Sequence, residues 1–215
     1  MIEAILFDMD GVLIESENYY IDGTFSWMKK YGFKGDKTVL HQLIGTTMKT
    51  TYHLVYEWLE GKISEEEIQE INDNYFKENP LWYPSVLKEE VKEVLQVLKD
   101  QGKKIALCSS SSKVSIAEML KTCELETYFD VVVSGEEFKE SKPNPEIYLY
   151  AAKVLGVGTE QCVVVEDSKV GIEAGCRANM RVLAVVDEQF DHDQSKATKR
   201  IHNLKEVLDW IELNS

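Results

Sequence analysis

The feature that most limits what this chain can fold into is a repeated alternation. Short apolar runs, Ile2–Phe7, Lys104–Cys108, Val131–Val133, Cys162–Val165 and Val182–Val186, are separated by longer stretches of helical period. Each run is rich in Val, Ile and Leu and ends in polar or acidic residues, the pattern of strands buried on both faces of a parallel sheet. Val86, Leu87, Val91, Val94, Leu95 and Leu98 keep helical spacing, with Gly102 as a stop. Val114–Cys123, Glu146–Leu155 and Ser168–Ala178 also read as helices, and a last one carries Leu204, Val207, Leu208 and Ile211. This order, from Leu87 onward, predicts an α/β fold: a doubly wound parallel sheet with a Rossmann-like core.

The segment from Ser16 to Tyr83 breaks the alternation. It carries helical stretches at Tyr19–Tyr31, Thr38–Ile44, Met48–Leu59 and Ser64–Lys77 and no second strand. Ser64 and Glu67 form a capping box ahead of Ile68, Ile71 and Tyr75. The expected organisation is a core of residues 1–15 and 84–215 with an inserted α-helical domain of residues 16–83. The linkers are Glu15–Asn18 and Asn79–Ser85, the second holding Pro80 and Pro84. A chain of 215 residues, 44% hydrophobic, suits one core domain plus a modest insertion.

The formal net charge of -14 argues against nucleic acid and anionic membrane surfaces as partners. It also opposes a small anionic substrate, so a phosphate ester would need local donors or a metal to overcome the field. No apolar run is long enough to cross a bilayer. The N-terminal MIEAILFDMDGVLI is interrupted by Glu3, Asp8 and Asp10 and lacks the basic start and cleavage site of a signal peptide. Cys108, Cys123, Cys162 and Cys176 show no CxxC or His-linked metal spacing and have apolar neighbours. They read as buried, reduced thiols, and the chain as cytoplasmic.

In open α/β sheets, ligands bind beyond the carboxyl ends of the strands. There this sequence places Asp8-Met9-Asp10-Gly11, then Ser109-Ser110, then Lys142 in Ser-Lys-Pro-Asn-Pro, then Glu166-Asp167-Ser168. Four carboxylates, a hydroxyl and an ammonium converge. The carboxylates would repel one another strongly without a cation among them, and hard oxygen ligands favour Mg²⁺. Asp8 and Asp10 lie two apart, so on a continuous strand both face one way. One could attack phosphorus while the other serves the leaving group. Each piece has a plainer reading. A lone D-x-D often ends a strand in water, and Ser111 or Ser112 caps the following helix. Lys142 could be a solvated loop lysine, and Glu166-Asp167-Ser168 a helix N-terminus favoured by the dipole. All four at successive strand ends are what speak for a site.

Phe-Asp8-Met-Asp10-Gly-Val-Leu, Ser109 after an apolar strand, Ser-Lys142-Pro-Asn-Pro and Val-Glu166-Asp167-Ser-Lys-Val-Gly resemble, in order and spacing, the four motifs of the haloacid dehalogenase superfamily. The branch resembled is the phosphatase and β-phosphoglucomutase group, which carries a helical cap just after its first motif. The resemblance implies that Asp8 is the nucleophile forming an aspartyl-phosphate. It implies that Asp10 protonates the leaving oxygen and then activates water, and that Ser109 and Lys142 hold the phosphoryl group. Mg²⁺ would be held by Asp8, the Asp10 carbonyl and Asp167, with Glu166 assisting. An aspartate at position 10 argues against dehalogenation, which attacks carbon without Mg²⁺.

The expected activity is hydrolysis of a small phosphorylated metabolite, a sugar phosphate or similar, by a monomer or weak homo-oligomer. Ser110, Glu15, Asn18 and Tyr19 are the candidate substrate-binding residues. The alternative is a hexose-phosphate mutase of the β-phosphoglucomutase type, but where that enzyme's cap supplies a histidine and an arginine this chain has Tyr20 and Met48. A phosphonate hydrolase needs a cap lysine, and Lys29, Lys30 and Lys49 read as solvated. A non-catalytic phosphate-binding module would gain nothing from a nucleophile and acid pair. Trp27, Trp58 and Trp82 read as packing residues, and His41, His53, His192 and His202 show no metal spacing.

Overall fold

The computed structural model describes residues 1–44, 46, 48–186 and 193–214. The chain divides into two compact units, Ser16–Trp82 and Met1–Glu15 with Tyr83–Ser215.

The Ser16–Trp82 unit is helical: α1 (Glu17–Lys30), α2 (Met48–Trp58) and α3 (Glu65–Glu78), with a 3-10 segment at Lys37–Leu43. That segment, expected as a helical stretch over Thr38–Ile44, is capped by Asp36, whose carboxylate accepts from the Thr38 amide. The capping box at α3 is formed in both directions, Ser64 accepting from Glu67 N and Glu67 accepting from Ser64 N. Gly23 lets α1 approach α3, because a Cβ there would meet the Phe76 ring. Trp27 is buried and Trp58 half-buried, but Trp82 is 64% exposed, so the expectation that all three pack inward fails at the last.

The larger unit carries a six-stranded, all-parallel sheet: β1 (Ala4–Phe7), β2 (Lys104–Ser109), β3 (Val131–Ser134), β4 (Cys162–Glu166), β5 (Arg181–Val185) and β6 (Lys199–Ile201). Their order is β3-β2-β1-β4-β5-β6. The helices between them are α4 (Val91–Asp100), α5 (Lys113–Thr122), α6 (Glu146–Leu155), α7 (Lys169–Arg177) and α8 (Lys205–Asn214). Val86 and Leu87 fall before α4, Leu87 forming an isolated bridge to Ile14 instead. β6 was not expected: it has three residues, two of them exposed charges, and an edge strand need not be apolar.

Two properties of this sheet position the site. Strand order reverses at β1, which has β2 on one side and β4 on the other, making its carboxyl end the switch point. Side chains also alternate between faces. Ala4 and Leu6 of β1, Ala106 and Cys108 of β2, and Cys162 and Val164 of β4 share the face covered by α6 and α7. Extending that parity puts Asp8 and Glu166 on the same face, at the same level, because Phe7 pairs with Val165. Cys108, Cys123 and Cys162 are buried free thiols, whereas Cys176 is only half-buried.

Candidate active site

Asp8 follows the last residue of β1, and its amide still donates to Val165 O at 2.9 Å, so strand pairing fixes its backbone. The chain then turns sharply. Gly11 has φ 73°, and the Met9 carbonyl accepts from the amides of Leu13 and Ile14. Lys88 Nζ donates to Gly11 O at 2.9 Å and ties this turn down. Gly11 is required for a second reason: a Cβ there would overlap the Asp167 carboxylate.

Lys142 precedes α6 and reaches the shared face of the sheet. Its ammonium donates to Asp8 Oδ1 at 2.6 Å, Glu166 Oε1 at 2.8 Å and Cys108 O at 3.0 Å, which uses all three of its hydrogens. It also lies 5.0 Å from the ring centre of buried Tyr148, in the first turn of α6. Glu166, 1% exposed, accepts from five groups. Oε1 takes Lys142 and the Tyr148 hydroxyl (3.0 Å), and Oε2 takes Asp167 N (2.9 Å), Ser168 N (3.0 Å) and Ser168 Oγ (3.0 Å). Gly171 makes this possible, since a Cβ there would occupy the Glu166 carboxylate. Ser168 also caps α7, accepting from Gly171 N.

The electrostatics follow from burial. Burial pushes the Asp8 carboxyl up, to about 8, against the pull of Lys142 and with the help of Glu166 and Asp10. Burial opposes the Lys142 charge as well, yet Asp8 and Glu166 outweigh it and hold the ammonium well above its ordinary value. Glu166 would also be raised by burial, but Lys142 and the Ser168 donors bring it below the usual carboxylate value.

Ligand atoms of Asp8, Glu166 and Asp167 all lie within 4.8 Å of one another. Three buried carboxylates face one ammonium, a net of two negative charges at full ionisation. The donors are all oxygen, which suits a hard divalent cation such as Mg²⁺. With Glu166 already accepting five hydrogen bonds, its contribution to such a cation is mainly charge, while Asp8 and Asp167 border the Gly11 turn.

The other expected residues sort as follows. Ser109 is buried, and its Oγ accepts from Ser111 N at 3.0 Å. Asp10 is half-buried, and its Oδ2 accepts from Ser111 Oγ at 2.8 Å. Ser110 is exposed. Glu15 is exposed, its amide donating to Val86 O. Asn18 and Tyr19 belong to the helical unit: Asn18 is exposed in the first turn of α1, and Tyr19 bonds Asn79 O and packs its ring at a tilt against Phe76. The serine run resolves into two jobs, for Ser112 caps α5 while Ser111 faces Asp10. Sequence reasoning missed Tyr148, Ser111 and Gln194; the last is 5% exposed and donates to both Asp167 O and Val185 O. His192 lies outside the described residues, and the nearby Asp193 pairs with Lys169.

Comparison with known proteins identifies the family. The family profile of haloacid dehalogenase-like hydrolases matches residues 5–185. A phosphorylated carbohydrates phosphatase of Thermotoga maritima is 35% identical over 88% of this chain and 88% of its own length. A phosphoglycolate phosphatase of Aquifex aeolicus is 31% identical over 83% of this chain and 82% of its own. The crystal structure of a β-phosphoglucomutase from Clostridium difficile superposes with a TM-score of 0.77 at 26% identity, covering 99% of this chain and 96% of that one. With its strand-end residues gathered at the switch point and its relatives alike over nearly their whole lengths, this chain belongs to the haloacid dehalogenase-like hydrolases, in their phosphatase and phosphoglucomutase-like branch.

Proposed function

We propose that this enzyme is a Mg²⁺-dependent phosphatase that hydrolyses a small phosphorylated carbohydrate or similar metabolite through an aspartyl-phosphate on Asp8. The observation that carries this reading is the Asp8–Lys142–Glu166 network with Asp167 beside it, at the switch point of the sheet.

Asp8 and Asp167, the Asp10 carbonyl and the charge of Glu166 would hold the cation. When bound, Mg²⁺ neutralises phosphoryl oxygens and favours the ionised form of Asp8. That second role matters because burial pushes the Asp8 carboxyl up, and the carboxylate is the form that attacks.

The chain's own residues do the rest. A carboxylate oxygen of Asp8 forms a bond to phosphorus as the ester P–O bond breaks, and the Asp10 carboxyl gives its proton to the departing alkoxide. Asp10, now a carboxylate, takes a proton from the water that attacks the aspartyl-phosphate, restoring Asp8 and releasing phosphate. Lys142 fixes the plane of Asp8 through Oδ1, and its charge offsets the equatorial phosphoryl oxygens. Ser109 donates its hydroxyl hydrogen to one of them.

The similarity to a β-phosphoglucomutase fold supports a second reading, transfer of the phosphoryl group to a sugar phosphate rather than water. Tyr20 and Met48, at the positions where that enzyme's cap supplies a histidine and an arginine, favour hydrolysis.

The test is phosphate release from p-nitrophenyl phosphate and a panel of sugar phosphates, with Mg²⁺ or EDTA and with or without glucose 1,6-bisphosphate. The wild type should hydrolyse at least one ester with Mg²⁺ and none with EDTA. Asp8→Asn should show no turnover with an unchanged circular dichroism spectrum. Turnover retained in Asp8→Asn overturns the covalent mechanism, and sugar phosphate isomerisation that needs the bisphosphate favours the mutase.

A further inference from the structure

The network around Ser111 is absent from the motifs read in the sequence. Ser111 has three hydrogen bonds, each to a different element of the core. Its amide donates to Ser109 Oγ at 3.0 Å. Its hydroxyl donates to Asp10 Oδ2 at 2.8 Å. Its carbonyl accepts from Ser134 Oγ, at the end of β3, at 2.8 Å. Ser134 is buried, and it is held in turn by a capping box in which its Oγ accepts from Glu136 N. Gly135 follows, where a Cβ would press on the Ser110 backbone at 3.2 Å, so the loop after β2 lies close against the loop after β3.

We infer that Ser111 is a positioning residue for the leaving-group proton. It clamps one oxygen of the Asp10 carboxyl and, through its amide, sets which way the Ser109 hydroxyl points. A hydroxyl that accepts an N–H has its own hydrogen left to donate, which is the orientation a phosphoryl oxygen needs. A carboxyl anchored through Oδ2 cannot swing freely about its terminal torsion, which is broad in an unanchored aspartate. General acid catalysis depends on that geometry, because the proton must be within hydrogen-bond reach of the departing oxygen. Ser111 meets the site through Asp10 and Ser109. Its effect passes through Asp10, and the inference rests on the proposed acid role of that residue.

A residue that acts through the acid matters more when the leaving group is poor. The experiment measures kcat/KM, which reports formation of the aspartyl-phosphate, for aryl phosphates of nearly equal shape from p-nitrophenyl to phenyl to 4-methoxyphenyl. It is run with Mg²⁺ on wild type, Ser111→Ala, Ser111→Thr and Asp10→Asn, with thermal denaturation to confirm folding. For Ser111→Ala the loss on 4-methoxyphenyl phosphate should exceed the loss on p-nitrophenyl phosphate by about tenfold, from the 10²–10⁴ span of general acid effects. Ser111→Thr, which keeps the hydroxyl, should restore the wild-type slope across the series. Equal loss on every ester in Ser111→Ala, or no recovery in Ser111→Thr, overturns the inference. Asp10→Asn separates the two levels: a flat loss across the series there removes the acid role of Asp10 itself, whereas a steep slope there beside a flat one in Ser111→Ala refutes only the positioning role.

Discussion

Replacing Glu166 by glutamine should destabilise the core unit strongly, although the two side chains differ by one atom type. All of Glu166's acceptor capacity is in use by five donors. The glutamine amide nitrogen must occupy one of the two oxygen positions. At the Oε2 position it faces the amides of Asp167 and Ser168, which cannot reverse direction. At the Oε1 position it faces the Lys142 ammonium, which also has only hydrogens to offer. Either way at least one buried donor is orphaned, at about 1–3 kcal/mol each. Lys142, 8% exposed, also loses one of its two countercharges, and breaking a buried pair costs about 3–5 kcal/mol.

These contributions overlap, so the expected total is about 3–5 kcal/mol, a large share of a typical domain's about 5–15 kcal/mol. At about 2–4 °C per kcal/mol for a chain of this size, the melting temperature should fall by about 10 °C. The assay is urea and thermal unfolding followed by circular dichroism in EDTA, which removes any contribution from bound metal. Tyr148→Phe is the control, because it deletes one neutral donor to Oε1 and should cost only about 1 kcal/mol. A Glu166→Gln protein within about 1 kcal/mol of wild type would refute the idea that this carboxylate is held by saturation rather than by a metal.

Gly171→Ala should lower kcat/KM by about 100-fold with a smaller effect on substrate KM, since its Cβ displaces the Glu166 carboxylate and with it Lys142 and Asp8; steady-state kinetics check this. Gln194→Met should leave the Asp167 and Val185 carbonyls without their buried donor, costing about 2 kcal/mol in urea unfolding. The same variant should weaken Mg²⁺ binding about tenfold by titration calorimetry, as losses of supporting groups around a metal do. Asp130 accepts from Ile105 N at 2.8 Å and Lys99 at 2.9 Å; burial opposes its charge, but these donors win and hold its carboxyl below the ordinary value. A depressed carboxyl stabilises the fold above its unfolded value and loses that effect as pH falls through the folded one. The melting-temperature gap between wild type and Asp130→Asn should therefore be full at neutral pH and close as pH drops below about 4.

What the sequence reveals here is set by how its chemistry is distributed. Asp8, Glu166 and Asp167 stood out because a parallel sheet ends each strand in one place, and because parity within a strand is fixed by backbone geometry; Lys142, on the loop after β3, stood out only through its Ser-Lys-Pro-Asn-Pro setting. Phe7 opposite Val165 is enough to put Asp8 level with Glu166. Residues that reach the site by side-chain length or loop path carry no such signal. Tyr148 looks like any apolar position of an amphipathic helix, and only its hydroxyl meeting Glu166 distinguishes it. Gln194 sits in the polar run Asp193-Gln194-Ser195-Lys196, where nothing in the sequence marks its bond across 27 positions to Asp167 O. Four consecutive serines present four chemically identical candidates, and the turn that assigns Ser112 to the α5 cap and Ser111 to Asp10 is a matter of one residue of register. β6 was invisible for the opposite reason: a paired edge needs backbone bonds more than apolar side chains, and Lys199 and Arg200 hide it. The same logic accounts for Trp82. A large aromatic was read as a packing residue because burying it is favourable, but Trp82 is 64% exposed, and residue type alone does not set burial. The candidate site therefore draws on two kinds of residue. One kind is fixed by strand geometry and readable in advance; the other is recruited from loops and helix faces, where the sequence alone does not announce what a substitution will do.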